Sequence, residues 1–180
     1  MNFPTTLTAI RIALIPILVI VLLTQFEKNA LIALGIFLFA ALTDLLDGLL
    51  ARKKKQESVL GQLLDPIADK LLITATFICL VELNLVSAWM VIIIIGREMT
   101  VTGFRVIASS KGIHIPASAL GKIKMDSEIA TISLLILGEK YLGSFYFLTQ
   151  VGLWIVIISA LGSAAIYFIK FGPKILSSRS

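Results

Sequence analysis

Charged side chains are scarce in this sequence. Only 15% of its 180 residues are Asp, Glu, Lys or Arg, whereas 58% are hydrophobic and the mean hydropathy is +0.99. Soluble globular domains carry about 25% charged residues, so this composition excludes that class. We expect instead an integral membrane protein that is surrounded by membrane lipid and has no nucleic-acid partner.

Cysteine and histidine occur only once each, as Cys79 and His114. A single cysteine cannot form a disulfide within the chain, and Cys79 lies in an apolar run, so we expect a small buried side chain there. His114 lies in a loop, where its residue type alone gives no reason for a catalytic role. Zinc sites are built from clusters that include Cys and His, so none is expected in this sequence.

Segments that alternate between polar and apolar residues, as membrane β-strands do, are absent. The apolar residues form blocks of about 20, the length that an α-helix needs to cross a bilayer. No internal repeat or long linker separates them, so we expect one transmembrane domain over residues 1–180. The sequence thus predicts an all-α integral membrane protein. Its six predicted transmembrane helices run approximately from Pro4 to Leu23, Ala30 to Leu50, Leu60 to Val81, Ala88 to Ala108, Lys122 to Leu137 and Leu148 to Lys170.

Most basic residues outside the apolar blocks lie on one side of this arrangement. The opposite side has only Lys28 and Lys140, each next to a glutamate. Basic loops stay in the cytoplasm, so we expect a multi-pass protein of the cell membrane with both termini cytoplasmic. The residues that define the cytoplasmic side are Arg52, Lys53, Lys54, Lys55, Lys111, Lys122, Lys124, Lys170, Lys174 and Arg179.

Two pairs of aspartates lie near the predicted cytoplasmic ends of the second and third helices. Asp44 and Asp47 are three residues apart, so they share one face of the second helix. Asp65 and Asp69 are four apart and share one face of the third helix in the same way. Two adjacent antiparallel helices would bring all four carboxylates together, in a site that faces the cytoplasm.

Four clustered carboxylates in apolar helices are costly. One ionised aspartate at mid-membrane costs about 2.5–3.5 kcal/mol on insertion scales, and neighbouring anions repel one another. Divalent cations remove both penalties, and carboxylate oxygens favour Mg²⁺ or Mn²⁺. The alternative is that the aspartates pair with nearby lysines and arginines. Small residues beside them, Gly48, Ala51 and Gly61, leave room either for a ligand or for tight helix packing.

The spacing of these residues resembles the signature of the CDP-alcohol phosphotransferase family. The matching pattern is Asp44-x-x-Asp47-Gly48-x-x-Ala51-Arg52, eight residues, then Gly61-x-x-x-Asp65-x-x-x-Asp69. The resemblance implies transfer of a phosphatidyl group from CDP-diacylglycerol to an alcohol, with release of CMP, by a homodimeric protein. It implies that the four aspartates bind two divalent ions, and that Asp69 is also the base for the acceptor hydroxyl. The residues that it implies for CDP-diacylglycerol binding are Thr8, Gly48, Ala51, Arg52 and Gly61.

The fourth predicted helix is unusually polar. Arg97 lies near its middle, where an unpaired cation is costly, so we expect it to face a protein-lined or water-filled cavity. Arg105 shares its broad face, and Lys122 and Lys124 begin the fifth helix. These cations could bind an acceptor that carries its own phosphate. Alternatively, the arginines pair with Glu98 or the aspartates, and the lysines only anchor the helix at the membrane surface.

Several further segments resemble the branch of the family that uses glycerol 3-phosphate as acceptor. This resemblance implies that Arg97, Arg105 and Lys122 bind the glycerol phosphate. Thr5 and Met125 depart from the family pattern, which commonly has Asn and Thr there. The matching segments are Asn2-x-Pro4-x-x-Leu7-Thr8-x-x-Arg11, Leu64-Asp65-Pro66-x-Ala68-Asp69-Lys70, Arg97-Glu98, Val101-Thr102-Gly103-x-Arg105 and Gly121-Lys122-x-Lys124.

Other functions are compatible with parts of this pattern. The same reaction could use inositol phosphate, serine or phosphatidylglycerol as acceptor. A divalent-cation transporter could also use acids within the membrane, although such proteins often have repeats and broken helices at the midplane. Asp126 and Glu128, which lie beside the proposed phosphate-binding lysines, have no role in any of these hypotheses.

The sixth predicted helix contains a run of small residues and ends in an aromatic cluster. The small residues allow another helix to approach closely, either within the chain or from a second subunit. The aromatic residues Tyr167, Phe168 and Phe171 are expected at the cytoplasmic membrane interface. The small residues, called the small-residue segment below, are Ser159, Ala160, Gly162, Ser163, Ala164 and Ala165.

Overall fold

The structure is a computed structural model. It describes the backbone of residues 3–24, 26–54, 59–113 and 119–177. Side chains are described within these ranges except at positions 3–5, 44–54, 59–65, 119, 120, 122 and 174–177. His114 and the side chains of Thr5 and Lys122 therefore lie outside the described residues.

Within these ranges the chain forms six α-helices, one for each predicted span, which confirms an all-helical fold. The first five helices extend past their predicted apolar blocks by five residues or less at each end, and the sixth extends by seven at its C-terminal end. In the fifth, the backbone leaves helical geometry at Gly138, one residue after the predicted end of that span. The helices are α1 (Phe3–Leu23), α2 (Asn29–Lys54), α3 (Val59–Glu82), α4 (Ala88–Ser110), α5 (Ala119–Leu142) and α6 (Phe147–Ser177), with a 3₁₀ turn at Gly143–Phe145 before α6.

Within the described residues, two of the helices are long and apolar enough to cross a membrane. The qualifying stretches are Thr6–Leu23 in α1 and Phe147–Pro173 in α6, and a shorter apolar stretch, Asn29–Thr43, lies in α2. In α4, by contrast, Arg97 and Glu98 interrupt the apolar run. Membrane crossing by all six helices, and the orientation of the termini, stay predictions.

The chain divides into two compact units, so the single domain over residues 1–180 also stays a prediction. The first unit comprises Met1–Val86 and Ile132–Tyr146. In it, α1 packs against both α2 and α3, and α2 also contacts α3. Close packing of aliphatic and aromatic side chains along these contacts stabilises the unit. Its fully buried side chains include Leu18, Ala33, Phe37, Ala40, Leu72, Phe77 and Leu80, and Cys79 is buried beside them, as predicted.

The second unit comprises Ser87–Thr131 and Phe147–Ser180, and α4 packs against α6 within it. Tyr167 and Phe171 are buried in a cluster with Val101 and Ala108. We expected these two aromatic residues at the membrane interface; their rings are covered by protein, and their position relative to the membrane stays a prediction. Their side chains lie on the side of α6 that faces α4, where they fill the space beside small and branched residues. Phe168 is exposed.

The ends of α3 and α4 have a specific sequence cause. Asn84 and Gly112 have φ of 57° and 70°, and they end these helices with the paired backbone hydrogen bonds of a Schellman motif. At Gly152 in α6, an added Cβ would lie 2.5 Å from Thr131 Oγ1. A residue without a side chain is therefore needed where α6 approaches the Thr131 turn of α5.

Candidate functional site

The four aspartates lie on α2 and α3, the two helices that pack against α1. Both segments are helical, as predicted, and on a helix intervals of three and four residues correspond to one face. The side chains of Asp44, Asp47 and Asp65 are not among the described ones, whereas Asp69 is half-buried. Ala68 and Leu72 are buried next to it and pack α3 into the first unit. Asp69 thus lies at the edge of the buried face of α3.

A fully buried arginine supports the turn at which the aspartate motif begins. The guanidinium Nε of Arg11, on α1, donates to the carbonyl oxygen of Ala40 at 3.2 Å. The Thr43 hydroxyl donates to the same oxygen at 2.7 Å. In an α-helix this carbonyl also accepts the amide of residue 44, the first aspartate. Arg11 therefore joins α1 to the turn of α2 that carries Asp44.

Sequence reasoning gave Arg11 no role beyond membership of an N-terminal pattern. The available signal was its charge, because one arginine in the first apolar helix needs a buried acceptor or an exit to water. The group that accepts its hydrogen bond is the backbone carbonyl of Ala40, 29 positions away, and residue types do not reveal such a partner.

Pro66 lies inside α3, between the two aspartates of the second pair. Proline has no backbone amide, so the carbonyl of residue 62 loses its usual helical partner at this turn. The Lys70 ammonium donates to the Pro66 carbonyl at 3.3 Å. The helix continues past the proline despite the lost bond.

The other residues predicted for donor and metal binding are distributed over the same helices. Thr8 is fully buried on α1, one turn before Arg11. Gly48, Ala51 and Arg52 lie on α2 and Gly61 on α3, with their surroundings outside the described part of the structure. Among the described residues, no three acidic, histidine or cysteine side chains are grouped as a metal site requires. The side chains of Asp44, Asp47 and Asp65 are not among them, so the metal site stays a prediction.

The second unit contains a buried group of four charged side chains, Arg97, Glu98, Lys124 and Glu128, which we call the charge cluster. Arg97 is held at three points. Its Nε donates to the Ala160 carbonyl at 3.2 Å, its Nη2 to Ser163 Oγ at 2.6 Å, and its Nη1 to Glu98 Oε2 at 2.9 Å. The guanidinium thereby fixes α4 to the small-residue segment of α6.

Lys124 completes the charge cluster from α5. Its ammonium pairs with Glu98 Oε2 and, at 2.7 Å, with Glu128 Oε2 one turn along the same helix. The structure therefore explains the presence of Glu128, which the sequence did not: its carboxylate neutralises a buried lysine. Asp126, two positions earlier, is exposed.

The predicted acceptor residues are in three different situations. Arg97 is nearly buried and paired with Glu98, which was the alternative to phosphate binding. Arg105 is exposed two turns further along α4, and no ion pair involves it among the described side chains. Lys122 lies in the first turn of α5, and nothing is described of its side chain. Arg97 donates three of the five hydrogen bonds that a guanidinium can form, so two N–H groups remain for a further partner.

Comparison with known proteins relates the whole arrangement to one family. The sequence model described as CDP-alcohol phosphatidyltransferase matches residues 1–165. A Bacillus subtilis (strain 168) protein named CDP-diacylglycerol--glycerol-3-phosphate 3-phosphatidyltransferase is 39% identical to this chain, over 94% of each. A Rickettsia felis protein of the same name is 32% identical over 93% of each. A protein of Oryza sativa subsp. japonica named cardiolipin synthase (CMP-forming) is 33% identical, over 89% of this chain and 53% of its own length. The similarity extends far beyond the aspartate motif.

Proposed function

The chain belongs to the CDP-alcohol phosphatidyltransferase family and is a transferase of phospholipid synthesis, and we propose that it transfers a phosphatidyl group from CDP-diacylglycerol to glycerol 3-phosphate. The products are phosphatidylglycerophosphate and CMP. The observation that carries this choice of acceptor is the similarity, over nearly the whole length, to two bacterial proteins named for that reaction. The arginines and lysines of α4 and α5 support it, because they suit an acceptor with its own phosphate.

The donor is assigned to the first unit. Asp44, Asp47, Asp65 and Asp69 would hold two divalent ions, Mg²⁺ or Mn²⁺, and their oxygen donors suit these ions. When bound, such ions neutralise the charge of the pyrophosphate and of the leaving CMP. The residues proposed to bind the CDP portion of the lipid are Thr8, Gly48, Ala51, Arg52 and Gly61.

Asp69 is the proposed base. The acceptor hydroxyl oxygen forms a bond to the phosphorus that carries the diacylglycerol, and the bond from that phosphorus to the CMP oxygen breaks. The hydroxyl proton moves to the Asp69 carboxylate, and CMP leaves with the electron pair. A half-buried carboxylate on a packed helix can stay in one position for this transfer.

The acceptor is assigned to Arg97, Arg105 and Lys122. Its phosphate carries up to two negative charges, which guanidinium and ammonium groups bind with charge-assisted hydrogen bonds. The proposed enzyme is a multi-pass homodimer in the cytoplasmic membrane. Its termini and active site face the cytoplasm, from which the soluble acceptor arrives.

Replacement of Arg105 tests the acceptor assignment. We expect Arg105→Ala to raise the KM for glycerol 3-phosphate about tenfold, because one charge-assisted bond to the phosphate is lost. The KM for CDP-diacylglycerol should stay within about twofold of its original value, since the donor is bound elsewhere. Both constants are measured from CMP release, and Lys111→Ala, at the end of the same helix, is the control. Equal increases in the two KM values would make Arg105 a structural residue.

The proposed function itself is tested by offering acceptors one at a time to the purified protein with CDP-diacylglycerol. We expect CMP release with glycerol 3-phosphate. Release with inositol phosphate or serine alone would contradict the acceptor assignment. Phosphatidylglycerol is the second candidate, because one relative is named as a cardiolipin synthase. Divalent-cation flux into liposomes without CMP release from any acceptor would favour a transporter.

A further inference from the structure

Glu98 joins two cations that come from different helices. Its Oε2 accepts hydrogen bonds both from Arg97 Nη1, on α4, and from Lys124 Nζ, on α5. The Glu98 side chain is 24% exposed, whereas those of Arg97, Lys124 and Glu128 are 7%, 6% and 3% exposed. The charge cluster is therefore reached by solvent mainly where Glu98 lies.

Neither cation needs Glu98 to keep a partner. Without it, Arg97 still donates to the Ala160 carbonyl and to Ser163 on α6. Lys124 still pairs with Glu128, one turn away on its own helix. Among the described side chains, Glu98 is the one that contacts both cations. Its carboxylate oxygen sets the distance from the guanidinium to the ammonium.

Both cations retain hydrogen-bond donors for a further anion. A guanidinium has five N–H groups and an ammonium three. Contacts with the described residues use three of these groups on Arg97 and two on Lys124. Since Nη1 and Nζ already reach a single oxygen atom, they are close enough to reach different oxygens of one phosphate group.

We propose that Glu98 is a positioning residue, which holds Arg97 and Lys124 at the spacing that lets both bind the phosphate of the acceptor. The inference rests on the proposed function, because the phosphate in question is that of glycerol 3-phosphate. Two charged donors fixed before the ligand arrives bind it without the cost of ordering two long side chains. From the sequence, Lys124 could either bind phosphate or only anchor the helix at the membrane surface. Here it is the second phosphate-binding residue.

The test is Glu98→Gln, which keeps the size of the side chain and removes its charge. We expect the KM for glycerol 3-phosphate to rise about tenfold, because the two cations are no longer held together. The KM for CDP-diacylglycerol should stay unchanged, and inorganic phosphate should inhibit less strongly by a similar factor. Glu82→Gln, an exposed glutamate at the end of α3, is the matched control and should change none of these constants.

Two results would overturn the inference. If Glu98→Gln only lowers the melting temperature and leaves both KM values unchanged, Glu98 is structural. If it strengthens inhibition by inorganic phosphate, Glu98 competes with the ligand and does not position its binding groups. Should Glu98→Gln fail to fold, Glu98→Asp keeps the charge but is too short to bridge both cations, and the same change in KM is expected.

Failure of the proposed function gives a different pattern. Inorganic phosphate binding is measured directly, as the rise in melting temperature that the ligand causes in the purified protein. If the unmodified protein releases no CMP with glycerol 3-phosphate, but phosphate stabilises it more than the Glu98→Gln variant, the proposed function fails and the role of Glu98 stands. If the unmodified protein turns over and the variant matches it in KM and phosphate response, only the role of Glu98 fails.

Discussion

Asp69→Asn is expected to lower CMP release about a thousandfold or more, because the amide can neither accept the hydroxyl proton nor carry the negative charge that a metal ligand needs. The amide has nearly the same shape as the carboxylate, and Asp69 lies at the edge of the buried face of α3, so the helix should keep its packing. Turnover at saturating Mg²⁺ or Mn²⁺ measures the first effect, and circular dichroism with thermal melting measures the second.

The matched control for this variant is Asp126→Asn, which changes an exposed aspartate outside the motif. It should leave turnover within about twofold of the unmodified protein, since surface substitutions away from special features have small effects. Near-normal turnover of Asp69→Asn at saturating metal would remove Asp69 from the role of base. Loss of the helical spectrum would instead show that the carboxylate is needed for folding.

Arg11→Ala is expected to lower both stability and turnover strongly. Removal of a fully buried large side chain leaves a cavity, which costs about 2–5 kcal/mol in the free energy of unfolding. The bond from α1 to the Ala40 carbonyl is lost as well, so the turn of α2 that carries Asp44 is held less firmly. We expect a lower melting temperature in detergent, and reduced CMP release even below that temperature.

A second replacement separates packing from hydrogen bonding at this position. Arg11→Met retains most of the buried volume and loses only the guanidinium, so it should recover much of the stability but little of the turnover. Lys28→Ala, an exposed cation between α1 and α2, is the control and should behave like the unmodified protein. If Arg11→Ala melts and turns over normally, Arg11 supports neither the packing nor the motif.

Helix positions followed from the sequence because each apolar block is long, and charged or turn-forming residues separate it from the next. Asn84 and Gly112, for example, lie beyond the ends of α3 and α4 and provide the left-handed conformation that stops a helix. The aspartate spacing was equally informative, since a helix converts intervals of three and four into a shared face. These features depend on neighbours along the chain, which the sequence shows directly.

Pairings between distant residues were not predictable in the same way. The sequence left open whether Arg97 pairs with Glu98, and nothing in it indicated the Ala160 carbonyl or Ser163 as further partners, 63 and 66 positions away. Glu128 had no explanation until α5 was seen to carry Lys124 into the same buried cluster. Such contacts depend on how the helices pack. Residue type shows only whether a side chain can donate or accept a hydrogen bond, and does not identify its partner.

The aromatic end of α6 is a second case in which the contacts of a side chain could not be predicted from the sequence. Tyrosine and phenylalanine near a helix end are typical of a membrane interface, but this frequency gave no indication that Tyr167 and Phe171 pack against α4. Whether such a ring faces lipid or protein depends on the neighbouring helix. Here α4 presents Val101 and Ala108, which are small enough for the rings to pack between the two helices.

The contacts of Arg97 with α6 also restrict how two copies of the chain can associate. Ala160 and Ser163 of the small-residue segment are fully or almost fully covered within one chain, by its own α4. Gly162 and Ala165 of the same segment are exposed on other sides of the helix. The proposed homodimer would therefore have to be built without Ala160 and Ser163, whose small side chains allow Arg97 to reach α6 within one chain.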